Sequence, residues 1–402
     1  MHILVGHNFY QQPGGEDQVF RAETSMLEEN GHSVVRYTRH NDDIRSMSRT
    51  AAGAKTIWNR ATFRQISELL DRERPDVCHF HNTFPLISPS AFYAAAMRRI
   101  PVVLTLHNYR LLCPAAVLLR DGKICEQCVG RQFPLPGVIH GCYRGSRTQT
   151  AGVAALLSVH HLVKTWRNRV DLFIALTEFA RRKFIDGGLP ADKIVVKPNF
   201  IHPDPGYSEV RERFALFVGR LSQEKGIDTL LNAWSHIGSD LPLRIAGDGP
   251  MAQDVRRTCE ANASVSWLGR LTRSEVVEQM RRATVLIFPS IWYESLPLSI
   301  LEAFATGLPV IASRIGSMPE LIEEGRNGLL FEPGSSEDLA RTVVHMLGDT
   351  AGTANMGFQA RKEFELKYTR SRNCDLLLRC YRMTNMRGHA PRYAVSIGKV
   401  SQ

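Results

Sequence analysis

The chain has 402 residues, 44% of them hydrophobic and 22% charged. At roughly 150 residues per domain this means two or three compact units, and it excludes a lone small module, a disordered chain and a collagen-like or solenoid composition. Lys and Arg outnumber Asp and Glu by 50 to 40, a formal charge of +10, which favours anionic partners such as nucleic acid, phosphorylated ligands or an acidic membrane face without choosing among them.

No stretch reaches the ~20 continuous apolar residues of a membrane-spanning helix; the longest, Ala151 to Val163, carries His160 and His161. The opening MHILVGHNF has no basic region or long apolar run, so it reads as a strand rather than a signal peptide and implies a cytoplasmic location. β-Branched runs at His2 to Gly6, Ser33 to Tyr37, Asp76 to Phe80 and Pro101 to Leu106 alternate with helices starting at Asp17, near Arg60 and after Pro89. This is the rhythm of a parallel sheet covered on both faces. Between Cys113 and Arg147 the rhythm fails, with no strand or helix period, and an insertion is expected. A helix through Trp166 and strands at Asp171 to Thr177 and Ile194 to Lys197 follow, and PNFIHPDPGYSEV is the linker candidate.

Strands are expected next at Phe214 to Gly219, Leu243 to Ala246, Val265 to Leu268, Val285 to Pro289 and Val310 to Ser313. Each is followed by a helix, opening near Lys225, Pro250, Thr272, Ser295 and Ser317. Thr272 to Glu275 and Ser317 to Glu320 have capping-box spacing. The reading divides the chain into a first Rossmann-like domain (1–200) with a cysteine-containing insertion (113–147) and a second such domain (201–370). A helix (371–385) with Leu376, Leu377, Leu378 and Tyr381 as docking residues and an unstructured tail (386–402) complete it.

Two doubly wound units joined by a linker imply a cleft between the carboxyl ends of two sheets. Neither half contains the dinucleotide G-x-G-x-x-G or the P-loop signature, so nicotinamide, flavin and P-loop sites lack support. The strand ends carry Pro13-Gly14-Gly15-Glu16, Gly219-Arg220, Lys225-Gly226 and Gly247-Asp248-Gly249-Pro250. Glycines admit a ligand close to the backbone, and Arg220 and Lys225, between a strand and a helix, suit a diphosphate. A solvated basic loop fits the same residues. In PSIWYESLPLSILE a loop presents Glu294 and a helix carries Glu302, with bare amides between them. Two carboxylates for hydroxyls on either side of a phosphate site describe a nucleotide-sugar. A helix favouring acidic residues at its start explains Glu294 but not Glu302 within the apolar run LSILEAFA.

These elements resemble the retaining GT-B glycosyltransferases of family four, the group 1 type: PGGED, HNTFPL and LTLHNYRLLCP in the first half; FVGRLSQEKGID, IAGDGP, LGRL and the E-x7-E pair in the second. The resemblance runs from Met1 to about Tyr381 and implies an α/β fold of two Rossmann-like domains facing across a cleft, with the last helix crossing back to the first. It implies that Glu302 binds ribose, Glu294 the donor sugar, and Arg220 and Lys225 the diphosphate. The backbone from Ser295 through Leu296, Pro297 and Leu298 completes the phosphate site, with Gly247 also on the donor side. Gly14 and Gly15 face donor phosphates and acceptor, and His107 stands at the donor-sugar edge. The catalytic set is His107, Arg220, Lys225 and Glu294. His79 and His81 look like a metal pair but are read as facing opposite ways along the strand, His79 to the core and His81 to the acceptor side.

The chain has no Asp-x-Asp pair, so Arg220, Lys225 and a helix N-terminus are expected to neutralise the leaving diphosphate without a catalytic cofactor. The donor is an NDP-sugar, UDP- or GDP-linked, and the resemblance implies retention by a front-face route. The acceptor is read as a saccharide or lipid-linked glycan of a cell-surface polysaccharide. Arg120, Lys123, Arg131, Arg144 and Arg147 are expected to favour peripheral contact with an anionic membrane, on the inner face. An epimerase or a phosphorylase could use the same frame, though a phosphorylase needs a pyridoxal-phosphate lysine and greater length. A zinc-containing nucleic-acid-binding protein fits the charge and the cysteines, but the scattered Lys and Arg lack an aromatic and basic signature, so no nucleic-acid partner is expected. Cys113, Cys125, Cys128 and Cys142 are expected to bind one structural zinc through the C-x2-C knuckle and two outer thiols.

Overall fold

The computed structural model describes residues 1–12 and 14–388, with backbone alone at 49 and 385–388. Pro13 of the glycine loop, and the tail from 389 onward, lie outside the described residues. The first half contains β1 (His2–Phe9), β2 (Ser33–His40), β3 (Val77–Asn82), β4 (Val102–Leu106), the short pair β5 (Leu119–Arg120) and β6 (Lys123–Ile124), β7 (Leu172–Ala175) and β8 (Ile194–Val196). The second half contains β9 (Ala215–Val218), β10 (Leu243–Ala246), β11 (Val265–Gly269), β12 (Val285–Phe288), β13 (Val310–Ser313) and β14 (Gly328–Phe331). β3, β4, β7, β12, β13 and β14 are buried along their whole length, as expected for parallel strands covered on both faces.

The strand orders are β2-β1-β3-β4-β7-β8 and β11-β10-β9-β12-β13-β14. All pairings in both are parallel. The order reverses between β1 and β3 in one sheet and between β9 and β12 in the other. Ligands in open parallel sheets bind outside the strand carboxyl ends at such reversals.

The last helix, Arg370–Gly388, packs on the first sheet: Cys374, Leu377, Cys380 and Tyr381 join a buried cluster with Ile3, Val5, Val77, Val103 and Ile174. Leu376 and Leu378 are only half-buried. This helix runs past the expected end and through Gly388. Glu320 spans the two halves, accepting from the amides of Glu178 and Phe179 at 2.8 and 2.9 Å.

Several expectations are corrected. The insertion does contain regular structure, the hairpin β5–β6 and the helix Leu135–His140, too short to leave a period in the sequence. The Thr272–Glu275 capping box forms, but the Ser317–Glu320 box does not, because Glu320 is drawn away to the Glu178 helix and the Ser317 hydroxyl donates to the Glu294 carbonyl at 2.7 Å. The helices expected at Lys225 and Ser295 begin at Ile227 and Leu298, since 3-10 and loop residues come first.

Candidate active site

A cleft of about 870 Å³ opens between the two reversal points, with walls from both halves. On the first wall, Gly14 and Gly15 lead from β1 into the helix Gly15–Glu29. Gly14 N–H donates to Asp17 Oδ2 at 3.0 Å, while Asp17 Oδ1 lies 2.7 Å from His7 Nε2. Asp17 thus pins the loop to the buried end of β1. A Cβ on Gly14 would meet no atom within 4 Å, and one on Gly15 would meet only Leu298 of the opposite wall, at 3.6 Å. The loop leaves room for a ligand rather than filling it. Glu16 directly follows the two glycines. It lines the cleft, accepting from Tyr10 Oη at 2.9 Å and Asn108 Nδ2 at 2.7 Å, and burial pushes its carboxyl up.

On the second wall, Gly219 and Arg220 follow β9, and Arg220 is exposed on the cleft. Lys225 ends a 3-10 turn whose Glu224 carbonyl accepts from the Ile291 amide at 3.0 Å, tying this loop to the one after β12. Gly226, at φ +72°, sits so close to that loop that a Cβ would lie 1.9 Å from the Pro289 carbonyl oxygen. The tie brings Lys225 Nζ to 2.5 Å from Glu294 Oε1, which also accepts from Ser290 Oγ at 2.8 Å and Trp292 Nε1 at 2.7 Å. One carboxylate oxygen with three donors is held still for recognition.

Ser295, Leu296, Pro297 and Leu298 continue the wall into the helix Leu298–Thr306, which has no side-chain cap; the Ile300 amide donates to the Pro297 carbonyl at 3.2 Å, which leaves the start of the helix without a side-chain partner beside the cleft. Glu302 follows on the same helix, lines the cleft and is only 8% exposed. Burial pushes its carboxyl up, and Arg273, with Nε 3.4 Å from Oε1, opposes that. The sequence reading missed Arg273, which arrives from a separate helix.

Gly247 is corrected. It is not part of the cleft wall; at φ +148° a Cβ would lie 1.8 Å from the Gly219 carbonyl oxygen, and its amide donates to Gly269 at 2.8 Å. Its part is to let β10 approach β9 where Gly219 and Arg220 begin.

His107 follows β4 onto the cleft wall, and His81 lies behind it, 3% exposed, with Nδ1 3.0 Å from His107 Nε2. His81 is therefore a support rather than an acceptor-facing residue. The expectation that His79 and His81 face opposite ways is also overturned. Residues two apart on a strand share a face, and their ring centroids are 4.4 Å apart.

With Glu23 they form a group of metal-ligating atoms within 4.8 Å of one another; Glu23 Oε2 and His81 Nε2 face each other at 3.3 Å with no hydrogen-bond partner among the described residues, while His79 and the other Glu23 oxygen are engaged. His79 contacts Tyr381 Oη at 2.9 Å and Thr105 Oγ1 at 2.8 Å, and Glu23 meets Lys197 Nζ at 2.5 Å. A cation there would face the buried ammonium. Burial raises the Glu23 carboxyl, but Lys197 and then His81 outweigh it and hold it well below the usual range. Burial pushes His79, His81 and His107 down, favouring neutral imidazoles.

Cys113, Cys125, Cys128 and Cys142 stand apart from the cleft, around a separate cavity of about 10 Å³.

Two family models match the chain in succession: Glycosyltransferase Family 4 over residues 13–205 and Glycosyl transferases group 1 over residues 204–363. A glycosyltransferase of Methanocaldococcus jannaschii, MJ1178, is 29% identical over 201 residues, 50% of this chain and 56% of that protein. The N-acetyl-alpha-D-glucosaminyl L-malate synthase of Bacillus anthracis is 24% identical over 90% of this chain and 92% of its own length. Among solved structures, Anabaena Alr3699/HepE in complex with UDP has a TM-score of 0.67 at 18% identity, covering 95% of this chain and 100% of that one; it is also solved with UDP-glucose. The sucrose-phosphate synthase of Thermosynechococcus elongatus has a TM-score of 0.68 at 16% identity, covering 96% and 100%. Both neighbours share the two-sheet architecture, and the paired family models span residues 13–363 almost end to end, so the chain belongs to the group 1 glycosyltransferases of the GT-B fold.

Proposed function

We propose that this glycosyltransferase moves a hexose-type sugar from a UDP- or GDP-linked donor to a saccharide or lipid-linked glycan, with retention of anomeric configuration, in the synthesis of a cell-surface polysaccharide. The observation that carries the reading is one wall: Glu294 and Glu302 on either side of an uncapped helix start, with Arg220 and Lys225 facing the same space. Glu302 receives ribose hydroxyls and Glu294 the donor sugar. The uncapped amides with Arg220 and Lys225 receive the diphosphate. The UDP and UDP-glucose bound by the Anabaena neighbour support this class of donor.

As the sugar–phosphate bond breaks, negative charge grows on the diphosphate, and these fixed positive groups stabilise it. That is the basis for transfer without a catalytic divalent cation. A leaving phosphate oxygen takes the acceptor hydroxyl's proton on the face where the bond forms, so configuration is retained. His107, held neutral by burial and braced by His81, orients hydroxyls at the sugar edge.

The insertion favours contact with an anionic bilayer: Phe133, Leu135 and Ile139 are exposed, and Arg147 donates to the Ile139 carbonyl among them. On this reading the enzyme works at the inner face of the plasma membrane.

Thermal unfolding of the protein with a panel of NDP-sugars tests the donor assignment. One donor is expected to raise the midpoint, with Glu302→Gln abolishing that rise while remaining folded. A panel that never stabilises the protein, or a folded Glu302→Gln with unchanged response, overturns it. Turnover should persist after brief EDTA treatment, and the product's anomeric proton coupling should match the donor's.

A further inference from the structure

The insertion between β4 and β7 is poorly provided with conventional stabilisation. Its strands β5 and β6 are two residues each and its helix, Leu135–His140, has six. Elements of that length do not hold themselves together in water. Several of its large apolar side chains, among them Phe133, Leu135 and Ile139, point outward rather than into a core. Leu118 reaches the core of the first half; beyond it four thiols, Cys113 and Cys128 buried and Cys125 and Cys142 half-buried, surround one void bordered also by Arg120 and Gly137. The cysteines come from three separate segments: the stretch after β4, both ends of the C-x2-C turn after β6, and the loop after the six-residue helix.

We propose that Cys113, Cys125, Cys128 and Cys142 bind one zinc ion, which cross-links the insertion and fixes the turn Cys125–Cys128 against the donor loop. The cavity of about 10 Å³ is the size of a single small occupant. All four cysteines are free, and all border the same void rather than forming two separate pairs. Among the described residues no three of these sulfur atoms lie within 4.8 Å of one another; the ion draws them inward by side-chain rotation to its ~2.3 Å bonds. Each thiol gives its proton to solvent as it binds. The resulting negative charge has a counter-charge in Arg120, which borders the same void.

The turn that the ion would hold has a second face. Glu126, between the knuckle cysteines, pairs with Lys183 Nζ at 2.9 Å and also faces the Tyr293 hydroxyl. Burial and then Glu126 push that hydroxyl up to about 12. The Tyr293 ring packs on Phe179 at 4.8 Å between centroids, and the next residue is Glu294. The metal turn in the first half therefore braces the loop that presents Glu294 from the second. The bracing role rests on the proposed function; the metal site does not.

Four measurements test this on the intact chain purified without chelator. Elemental analysis should find about one zinc per chain, and cobalt exchange should give thiolate-to-cobalt charge-transfer absorption. The paired variant Cys125→Ser with Cys128→Ser should lose both; should it fail to fold, the wild-type measurements still decide. A metal content far below one per chain, or thiol titration finding the four cysteines oxidised to two disulfides, overturns the site. Glu126→Gln should keep its zinc while donor KM rises several-fold. Unchanged KM with full zinc content overturns the bracing role and leaves the metal assignment standing.

Discussion

Arg220 and Lys225 face one cleft with the same charge but differ in how they are held. Arg220 is exposed, whereas Lys225 is clamped to Glu294, whose side chain is 9% exposed. Replacing either by alanine should lower turnover by about a hundredfold, the usual loss for one preorganised donor to a developing anion. Lys225→Ala should also lower stability by about 1–3 kcal/mol, because a nearly buried carboxylate loses its charged partner. Arg220→Ala should leave the melting midpoint almost unmoved. Turnover and thermal melts on the two variants check this, and equal midpoints in a folded pair would contradict it. Glu294, Glu302, Arg220 and Lys225 were legible because they lie on two short segments with recognisable spacing. Glu16 and Arg273 were not: Glu16 acquires its site role through Asn108, 92 positions away, and Arg273 reaches Glu302 from another helix. Sequence spacing carries no information about such meetings. The same blindness placed Gly247 on the donor.

Gly247 shows how backbone proximity, rather than side chains, sets where the strands β9 and β10 end. With a Cβ position 1.8 Å from the Gly219 carbonyl oxygen and φ at +148°, Gly247→Ala must push the strand ends apart and adopt an unfavourable backbone. Overpacking and the positive-φ penalty together come to about 3 kcal/mol. The shift is transmitted to Gly219 and Arg220, so the variant should melt earlier and bind donor more weakly, although no atom that touches donor has been removed. Denaturant unfolding and donor titration measure both effects; a variant as stable as the parent would refute the account. Most parallel strands were readable because burial on both faces writes continuous apolar runs. β14 was overlooked. β5 and β6 could not be read, since two residues are too few to establish an alternation. The Ser317–Glu320 pair had the right spacing for a cap, but a competing acceptor role at the Glu178 helix won.

A buried polar chain runs from the cleft through the first sheet to the last helix: His107 to His81, His81 towards Glu23, Glu23 to Lys197, and Lys197 to Asn373 Oδ1 at 3.0 Å. His79 joins through Tyr381. Because burial lowers the pKa of His79, His81 and His107, the unfolded chain takes up protons first once the pH falls below about 6.5. The stability these neutral rings contribute is full above that pH and lost progressively towards their folded values. Glu23 acts in a lower window, its contribution being present above about 4.3 and lost as pH falls through its depressed folded value. Melting midpoints should therefore fall between about pH 7 and 5, and a flat profile would argue against neutral buried histidines. The same connectivity bears on how the protein is made. Tyr381 meets His79 across 302 positions, and Leu377 and Tyr381 close over strands synthesised long before them. On the ribosome, every strand of the first sheet emerges while its covering helix is still untranslated. The part of that apolar face under Leu377 and Tyr381 stays uncovered throughout synthesis of the second half, so chains truncated before Arg370 should aggregate more readily than the intact chain, as light scattering of the two would show.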